Sequence, residues 1–195
     1  MQTQQIKFQN DQWDIRNTST NFDAAKVQLA IVFGSGDLAG NQTYFNIIQA
    51  KFPNADIVTS STAGEIIGEE VYDDTLIVTA IHFEKSKIQC IKTSVTEHAD
   101  SFETGKYLFN SLNNNDLSGL FIISDGTKIN GSEIVDGLNL NNHKHLPITG
   151  GLAGDADVVY RDRHKECAVA EAIQVATLAL KIAEMFQYEI DKEEK

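Results

Sequence analysis

Small polar residues follow several apolar segments of the chain, and their chemistry suits the binding of a small polar ligand. Hydroxyl and backbone N–H groups donate hydrogen bonds, carboxylates accept them, and glycine lets a backbone approach a ligand closely. Such loops also form ordinary turns, but four of them occur here, the first at residues 34–37. The candidate ligand-binding residues come from the other three loops: Ser61, Thr62, Gly64, Glu65, Ser124, Asp125, Gly126, Thr127, Gly150, Gly151, Gly154 and Asp155.

These residues divide into hydrogen-bond donors and acceptors for a small polar ligand. The candidate hydroxyl donors are Ser61, Thr62 and Thr127. The candidate carboxylate acceptors, which would suit an ammonium group, are Glu65, Asp125 and Asp155. A carboxylate on a ligand would bind N–H groups at a helix start near residues 126–132, because the first N–H groups of a helix have no partner within it.

The sequence lacks the motifs that would indicate an enzyme, and we predict no catalytic residues and no metal site. It contains no GxGxxG fingerprint, no GxxxxGK[ST] phosphate loop, no GxSxG nucleophile elbow and no HExxH motif. A hydrolase built on Ser61, Asp125 and a histidine is the enzyme alternative, but any chain rich in serine and aspartate offers that combination. The acidic residues 65–74 favour a solvated loop over a divalent-cation site, because their spacing is not that of an EF-hand.

The composition predicts one globular domain. The chain has 195 residues, 42% of them hydrophobic and 23% charged, which allows a sizeable core without disulfides. Its formal net charge of −12 repels nucleic acid and anionic lipid, so neither nucleic acid nor a membrane is an expected partner. The sequence has two cysteines, no apolar run of 18 residues and no signal peptide, so we expect a cytoplasmic location.

Apolar runs alternate with helical periodicities and predict an α/β fold, a layered mixed β-sheet flanked by helices with a long C-terminal helix. Strands are predicted at residues 27–33, 55–60, 75–83, 87–95, 119–124 and 146–149. Helices are predicted at residues 41–52, 98–112, 132–140 and 166–190. The third and fourth strands are expected to form a hairpin, which makes the sheet mixed.

The predicted organisation has three parts. Residues 1–25 form a lead-in that packs through a few side chains, residues 26–160 form the α/β domain, and residues 161–195 form a helical tail. The tail helix is apolar over more than half of its circumference, so we expect it to be buried in its own domain or in a partner. A homo-oligomer formed through this helix is one such arrangement.

Three motifs resemble the FIST N-terminal domain in their order and approximate spacing. They are SSTAGEI at residues 60–66, IISDGT at residues 122–127 followed by Asn130-Gly131, and PITGGLAGD at residues 147–155. The resemblance covers residues 25–160, and the usual C-terminal FIST domain is not found. It implies a sensory domain of bacterial or archaeal signalling proteins that binds a small ligand, an amino acid among the candidates, with the motif residues lining the pocket.

Three alternatives stay open beside this interpretation. Some members of the family are haem-binding nitric-oxide sensors that partner histidine kinases; here His164, between Arg163 and Lys165, would supply the axial ligand, although we expect no cofactor. The second alternative is a small-molecule hydrolase, and the third is a protein-interaction module that uses the C-terminal helix. A histidine kinase or another signalling protein is the partner that the sensory interpretation implies.

Overall fold

A computed structural model describes residues 1–112 and 117–152, and the structural statements below concern these residues. The central element is a five-stranded mixed sheet, which confirms the predicted α/β class. Its strands in spatial order are β2 (Gln12–Thr18), β1 (Gln2–Gln9), β7 (Leu76–His82), β3 (Leu29–Gly34) and β4 (Asp56–Ser61). The pair β3–β4 is parallel and the other three pairs are antiparallel, so the carboxyl ends of β3 and β4 meet the amino end of β7.

One face of this sheet packs against helix α2 (Gln42–Lys51). The apolar runs predicted as strands supply the buried residues, among them Val32 and Val78, and the helix supplies Ile48. Asn41 begins the helix as its N-cap, because its side-chain oxygen accepts a hydrogen bond from the Thr43 amide at 2.9 Å. The predicted helix at 41–52 is therefore confirmed.

The first 18 residues contain two strands, β1 and β2, that the sequence analysis did not predict. Residues Gln4, Ile6 and Phe8 alternate with outward-facing residues and are buried, which is the period-two pattern of a half-buried strand. The ring of Phe8 lies 4.8 Å from that of Trp13 and 4.5 Å from that of Tyr44. The N-terminal segment is thus an integral part of the main sheet and of its core.

The acidic segment predicted as a solvated loop instead forms a β-hairpin, made of β5 (Glu65–Ile67) and β6 (Glu70–Tyr72). The two-residue turn begins with Gly68 at φ +66°, a conformation that glycine adopts without a steric cost. The Lys7 ammonium lies 3.9 Å from the centre of the Tyr72 ring, and an Arg16 nitrogen lies 3.5 Å from a Glu70 oxygen. These two contacts hold the hairpin against β1 and β2.

A second group of elements follows in the chain. It consists of helices α3 (Ser101–Ser111) and α4 (Gly131–Asn139) and the parallel strands β8 (Leu120–Ser124) and β9 (Ile148–Leu152). The buried residues of this group are Phe109, Ile129, Ile134 and Leu138. Its helices and strands confirm the predictions at 98–112, 119–124, 132–140 and 146–149 in type and approximate position.

One predicted strand, at residues 87–95, is wrong: this stretch has no strand in the structure. The expected hairpin partner β7 is already paired on both sides, by β1 and β3, which leaves no edge for a further strand.

Three short helical segments complete the described elements. They are α1 (Gly36–Ala39) and two 3-10 turns, at Ala24–Lys26 and Val95–Glu97. The predicted helix at 166–190 lies outside the described residues. No helix among the described residues is long and apolar enough to cross a membrane.

Candidate functional site

The first predicted loop lies where three strands of the main sheet meet. Gly34, the last residue of β3, pairs with Ser61 of β4 on one side and with Leu76 of β7 on the other. Beyond the strand ends the pairing continues: the Thr62 amide donates to the Gly34 carbonyl at 2.9 Å, and the Ser35 amide donates to the Thr75 carbonyl at 3.3 Å. The loops after β3 and β4 are thereby joined to the residue that precedes β7.

Glu65 lies in the interior of this junction, with only 1% of its surface exposed. Its Oε1 accepts a hydrogen bond from Thr62 Oγ1 at 2.6 Å. Its Oε2 accepts from Thr75 Oγ1 at 2.7 Å and from the Thr75 amide at 3.2 Å. Both oxygens of the carboxyl group are therefore engaged within the protein, and so is the Thr62 hydroxyl.

The short turn between Thr62 and Glu65 is the accessible part of this junction. Ser61 and Thr62 are buried, whereas Ala63 is exposed and Gly64 is partly exposed. A Cβ added to Gly64 would lie 3.5 Å from Val71 Cγ1, an ordinary contact, and Gly64 does not adopt a positive φ. Packing and backbone conformation thus do not require glycine at this position.

The third predicted loop is a tight turn organised by Asp125, directly after β8. Its Oδ1 accepts from the Thr127 amide at 2.7 Å, from Thr127 Oγ1 at 2.7 Å and from the Lys128 amide at 3.1 Å. Partial burial raises the pKa of Asp125, but the hydrogen bonds from Thr127 and Lys128 and the Lys128 charge outweigh it, so that the pKa lies below its usual value. The Lys128 ammonium lies 3.8 Å from Oδ2, and 16% of the Asp125 side chain is exposed.

Two of the N–H groups in the first turn of α4 already have an acceptor within the protein. Asn130 Oδ1 accepts from the amides of Ser132 and Glu133, at 3.1 and 3.3 Å. The Asn130 amide itself donates to Ser101 Oγ at 2.9 Å. A ligand carboxylate at this helix start would have to compete with these acceptors, which weakens the expectation that it binds there.

Two glycines of the fourth predicted loop, Gly150 and Gly151, lie inside a strand. Gly150 and Gly151 belong to β9, which continues to Leu152, so their placement in a loop after residue 149 is wrong. Gly150 has φ +147°, and a Cβ added there would lie 1.9 Å from the carbonyl oxygen of Ile122, its partner in β8. Strand pairing therefore explains this glycine. Gly154 and Asp155 lie outside the described residues.

Comparison with family models decides the classification that the motifs suggested. The model of the FIST N domain matches residues 28–183, which is most of the chain. The chain belongs to the FIST N domain family. FIST domains are sensory domains, and the match extends beyond residue 160, where the sequence analysis ended the domain. Comparisons with curated proteins and with solved structures find no match.

In this FIST N domain the candidate residues form two separate hydrogen-bond networks. One joins Thr62 and Glu65 to Thr75, and the other joins Asp125 and Thr127 to Lys128. Sequence reasoning did not select Thr75 or Lys128. Thr75 opens a predicted strand and could have been recognised only from the register of β7 against β3, whereas Lys128 stands three residues after Asp125, a spacing that suits a turn contact.

The other chemical alternatives concern a serine–histidine pair, a metal site and a haem ligand. Ser61 is 7% exposed, and no hydrogen bond joins its side chain to a histidine among the described residues. His82 Nδ1 lies 3.4 Å from Gln2 Oε1, and His98 Nε2 lies 2.8 Å from Thr93 Oγ1. The described residues contain no group of three His, Cys, Asp or Glu side chains that could hold a metal ion. His164, the candidate axial ligand for haem, lies outside them.

Proposed function

We propose that this FIST N domain is a non-catalytic sensory domain that binds a small polar ligand, with free amino acids as the first candidate class. The ligand would bind at the carboxyl ends of the parallel strand pairs, where open α/β sheets commonly bind ligands. Its output would pass to a histidine kinase or another signalling protein in a bacterial cytoplasm. Family membership supports the sensory role, and the site geometry supports the choice of ligand class.

The observation that carries this proposal is the geometry of Asp125. Three hydrogen bonds on Oδ1 fix its carboxylate, its pKa is below the usual value, and part of its side chain remains accessible. A fixed carboxylate that keeps its charge at neutral pH is suited to accept hydrogen bonds from an ammonium group. Lys128, beside Oδ2, supplies a cation that would attract the carboxylate of the same ligand.

The exposed turn at Ala63 and Gly64 is a separate candidate contact, through its backbone, after the carboxyl end of β4. Its side chains are small, and neither packing nor backbone conformation requires glycine at position 64. Two observations support a non-catalytic role. Ser61 is buried, and both Glu65 oxygens accept hydrogen bonds within the protein, so neither residue is available as a nucleophile or base. Signal output requires that the ligand bind one conformation or assembly more tightly than another.

The test is a thermal melt of the full chain with each of the 20 amino acids at millimolar concentration. A ligand that binds only the folded state at a hundredfold excess over its Kd adds about 2.7 kcal/mol of stability. For a chain of this size that raises Tm by roughly 5–10 °C. A selective shift with one or a few amino acids is the expected result, and a screen with no shift would contradict the amino-acid class.

Two variants connect a shift in Tm to the proposed contacts. Asp125→Asn keeps an oxygen for the turn hydrogen bonds but removes the charge, so it should reduce the shift while the domain stays folded. Asp136→Asn changes the net charge equally at an exposed position of α4 and should retain the shift. Gly64→Ala should weaken binding with little change in the Tm of the free protein. Wild-type affinity in Asp125→Asn would remove Asp125 from the site.

A further inference from the structure

We propose that Glu65 is a positioning residue, which holds the turn at residues 63–64 in place without touching the ligand. This inference rests on the proposed function, because it concerns the same site. Its basis is the complete engagement of the carboxyl group: Oε1 binds the hydroxyl of Thr62, and Oε2 binds the hydroxyl and amide of Thr75. Glu65 is 1% exposed, so a ligand cannot reach it without a rearrangement.

The hydrogen bonds around Glu65 form a closed circuit through three strand ends. Glu65 accepts from the Thr75 hydroxyl, and the Thr75 carbonyl accepts from the Ser35 amide. The backbone then leads to Gly34, whose carbonyl accepts from the Thr62 amide. The Thr62 hydroxyl closes the circuit by donating to Glu65. The end of β3, the residues after β4 and the residue before β7 are each bonded to the other two. A closed circuit of this kind limits the relative movement of the loops after β3 and β4.

The position of Glu65 makes this circuit relevant to the turn. Thr62 and Glu65 stand on either side of residues 63–64, and their side chains are joined at 2.6 Å. The exposed backbone of the turn is thus fixed at both ends by buried groups. A ligand site loses affinity when its contacting groups must be ordered on binding. A preorganised turn therefore binds a ligand more tightly than a mobile one.

The conservative pair Thr75→Val and Thr75→Ser tests the first half of the circuit in the full chain. Valine has the shape of threonine but no hydroxyl, whereas serine keeps the hydroxyl. The reporters are the amide exchange rates of Ser35 and Thr62, measured by NMR against the Ile134 amide in α4 as reference. We expect at least tenfold faster exchange of both reporters in Thr75→Val and less than threefold change in Thr75→Ser.

The pair Thr62→Val and Thr62→Ser tests the other carboxyl oxygen independently, which keeps the test available if Thr75→Val does not fold. The same pattern is expected at the Ser35 amide, with the valine variant faster by tenfold and the serine variant near the wild type. Unchanged exchange of the reporters in a folded valine variant would overturn the proposal. Equal effects of valine and serine would overturn it as well, because the hydroxyl would then not matter.

A binding measurement separates failure of this inference from failure of the proposed function. The probe is whichever amino acid raises the Tm of the wild type, and its Kd is measured for both variant pairs at a temperature where all are folded. A tenfold weaker Kd in the valine variants with near wild-type values for serine supports the positioning role. Equal Kd values throughout would overturn that role while leaving the ligand proposal intact. A wild type that binds none of the amino acids contradicts the ligand proposal, and the exchange rates still decide whether the circuit holds the turn.

Discussion

Gly105 in α3 and Gly137 in α4 lie against the backbone of each other's helix. A Cβ added to Gly105 would lie 2.2 Å from the carbonyl oxygen of Ile134, and one added to Gly137 would lie 2.0 Å from that of Phe102. Both distances are far below any real contact of a Cβ atom. The two helices therefore approach each other through paired glycines, and this contact positions α4 against α3.

We predict that Gly137→Ala destabilises the protein. In an exposed helix interior the change from glycine to alanine stabilises by about 1 kcal/mol. Here the added methyl group would collide with backbone that cannot rotate away, and overpacking of this kind costs about 1–3 kcal/mol. The collision should outweigh the gain in helix propensity, so urea unfolding should show a net loss of stability in Gly137→Ala and in Gly105→Ala.

The control for this prediction is Val135→Ala, at a position of α4 that is 40% exposed. It should change the unfolding free energy by less than about 0.5 kcal/mol, as surface substitutions usually do. A stabilised Gly137→Ala variant would show that the helices do not approach as closely as the structure has them.

A second prediction separates two glycines with positive φ. Gly150→Ala places a Cβ 1.9 Å from the Ile122 carbonyl oxygen, whereas the space around Gly68 is open. Gly68→Ala should therefore cost only the left-handed backbone conformation, about 1–2 kcal/mol. Gly150→Ala should cost more, because the β8–β9 pairing must also shift. Urea unfolding of both variants tests the order, and an equal loss in the two would show that the strand contact at Gly150 is not required.

Much of the fold could be predicted because the buried strands are continuous apolar runs. The segments that became β3, β4, β7 and β8 were located to within two residues, as were the first residues of α2 and α4. The strand β1 was missed because a polar residue, Gln4, occupies one of its buried positions and obscures the alternation with Ile6 and Phe8. The hairpin β5–β6 was missed because its acidic residues suggested a loop, although Gly68 signals its turn.

The candidate site was located only in part, because motifs identify residues but not their partners. Thr62 and Glu65 were selected as ligand contacts, yet both are buried and bind each other. The second partner of Glu65, Thr75, comes to it through the pairing of Gly34 with Leu76 in the sheet, which no local pattern reveals. Asp125 was the more predictable case, since its partners lie within three residues.

The third prediction concerns the pH dependence of stability. Hydrogen bonds from Thr127 and Lys128 lower the pKa of Asp125 in the folded protein below its value in the unfolded chain. The stabilisation by this carboxylate is thus fully present above the unfolded pKa and is lost as the pH falls through the folded pKa. Between about pH 5 and pH 2 the unfolding free energy of the wild type should therefore fall more steeply than that of Asp125→Asn.

Urea unfolding at several pH values measures this difference. The Asp136→Asn variant serves as the control for the loss of one carboxyl group, because Asp136 is exposed. The difference between wild type and Asp125→Asn should shrink toward acid pH. If it stays constant from pH 6 to pH 2, the charged form of Asp125 is not preferentially stabilised by the turn.

The fourth prediction concerns the reactivity of Cys90, a free cysteine that is exposed as a whole residue. Partial burial of its thiol, together with the charge of Asp56 and a hydrogen bond to it, raises the pKa of Cys90 to about 11. The thiolate is the reactive form, so Cys90 should react with iodoacetamide at pH 8 roughly tenfold to hundredfold more slowly than an unperturbed cysteine. The measurement uses a Cys167→Ser background, which removes the other cysteine of the chain. Adding Asp56→Asn to this background should speed the reaction, because it removes the charge that disfavours the thiolate. Adding Asp136→Asn should leave the rate unchanged. If Cys90 of the Cys167→Ser protein reacts as fast as an unperturbed cysteine, its pKa is not raised.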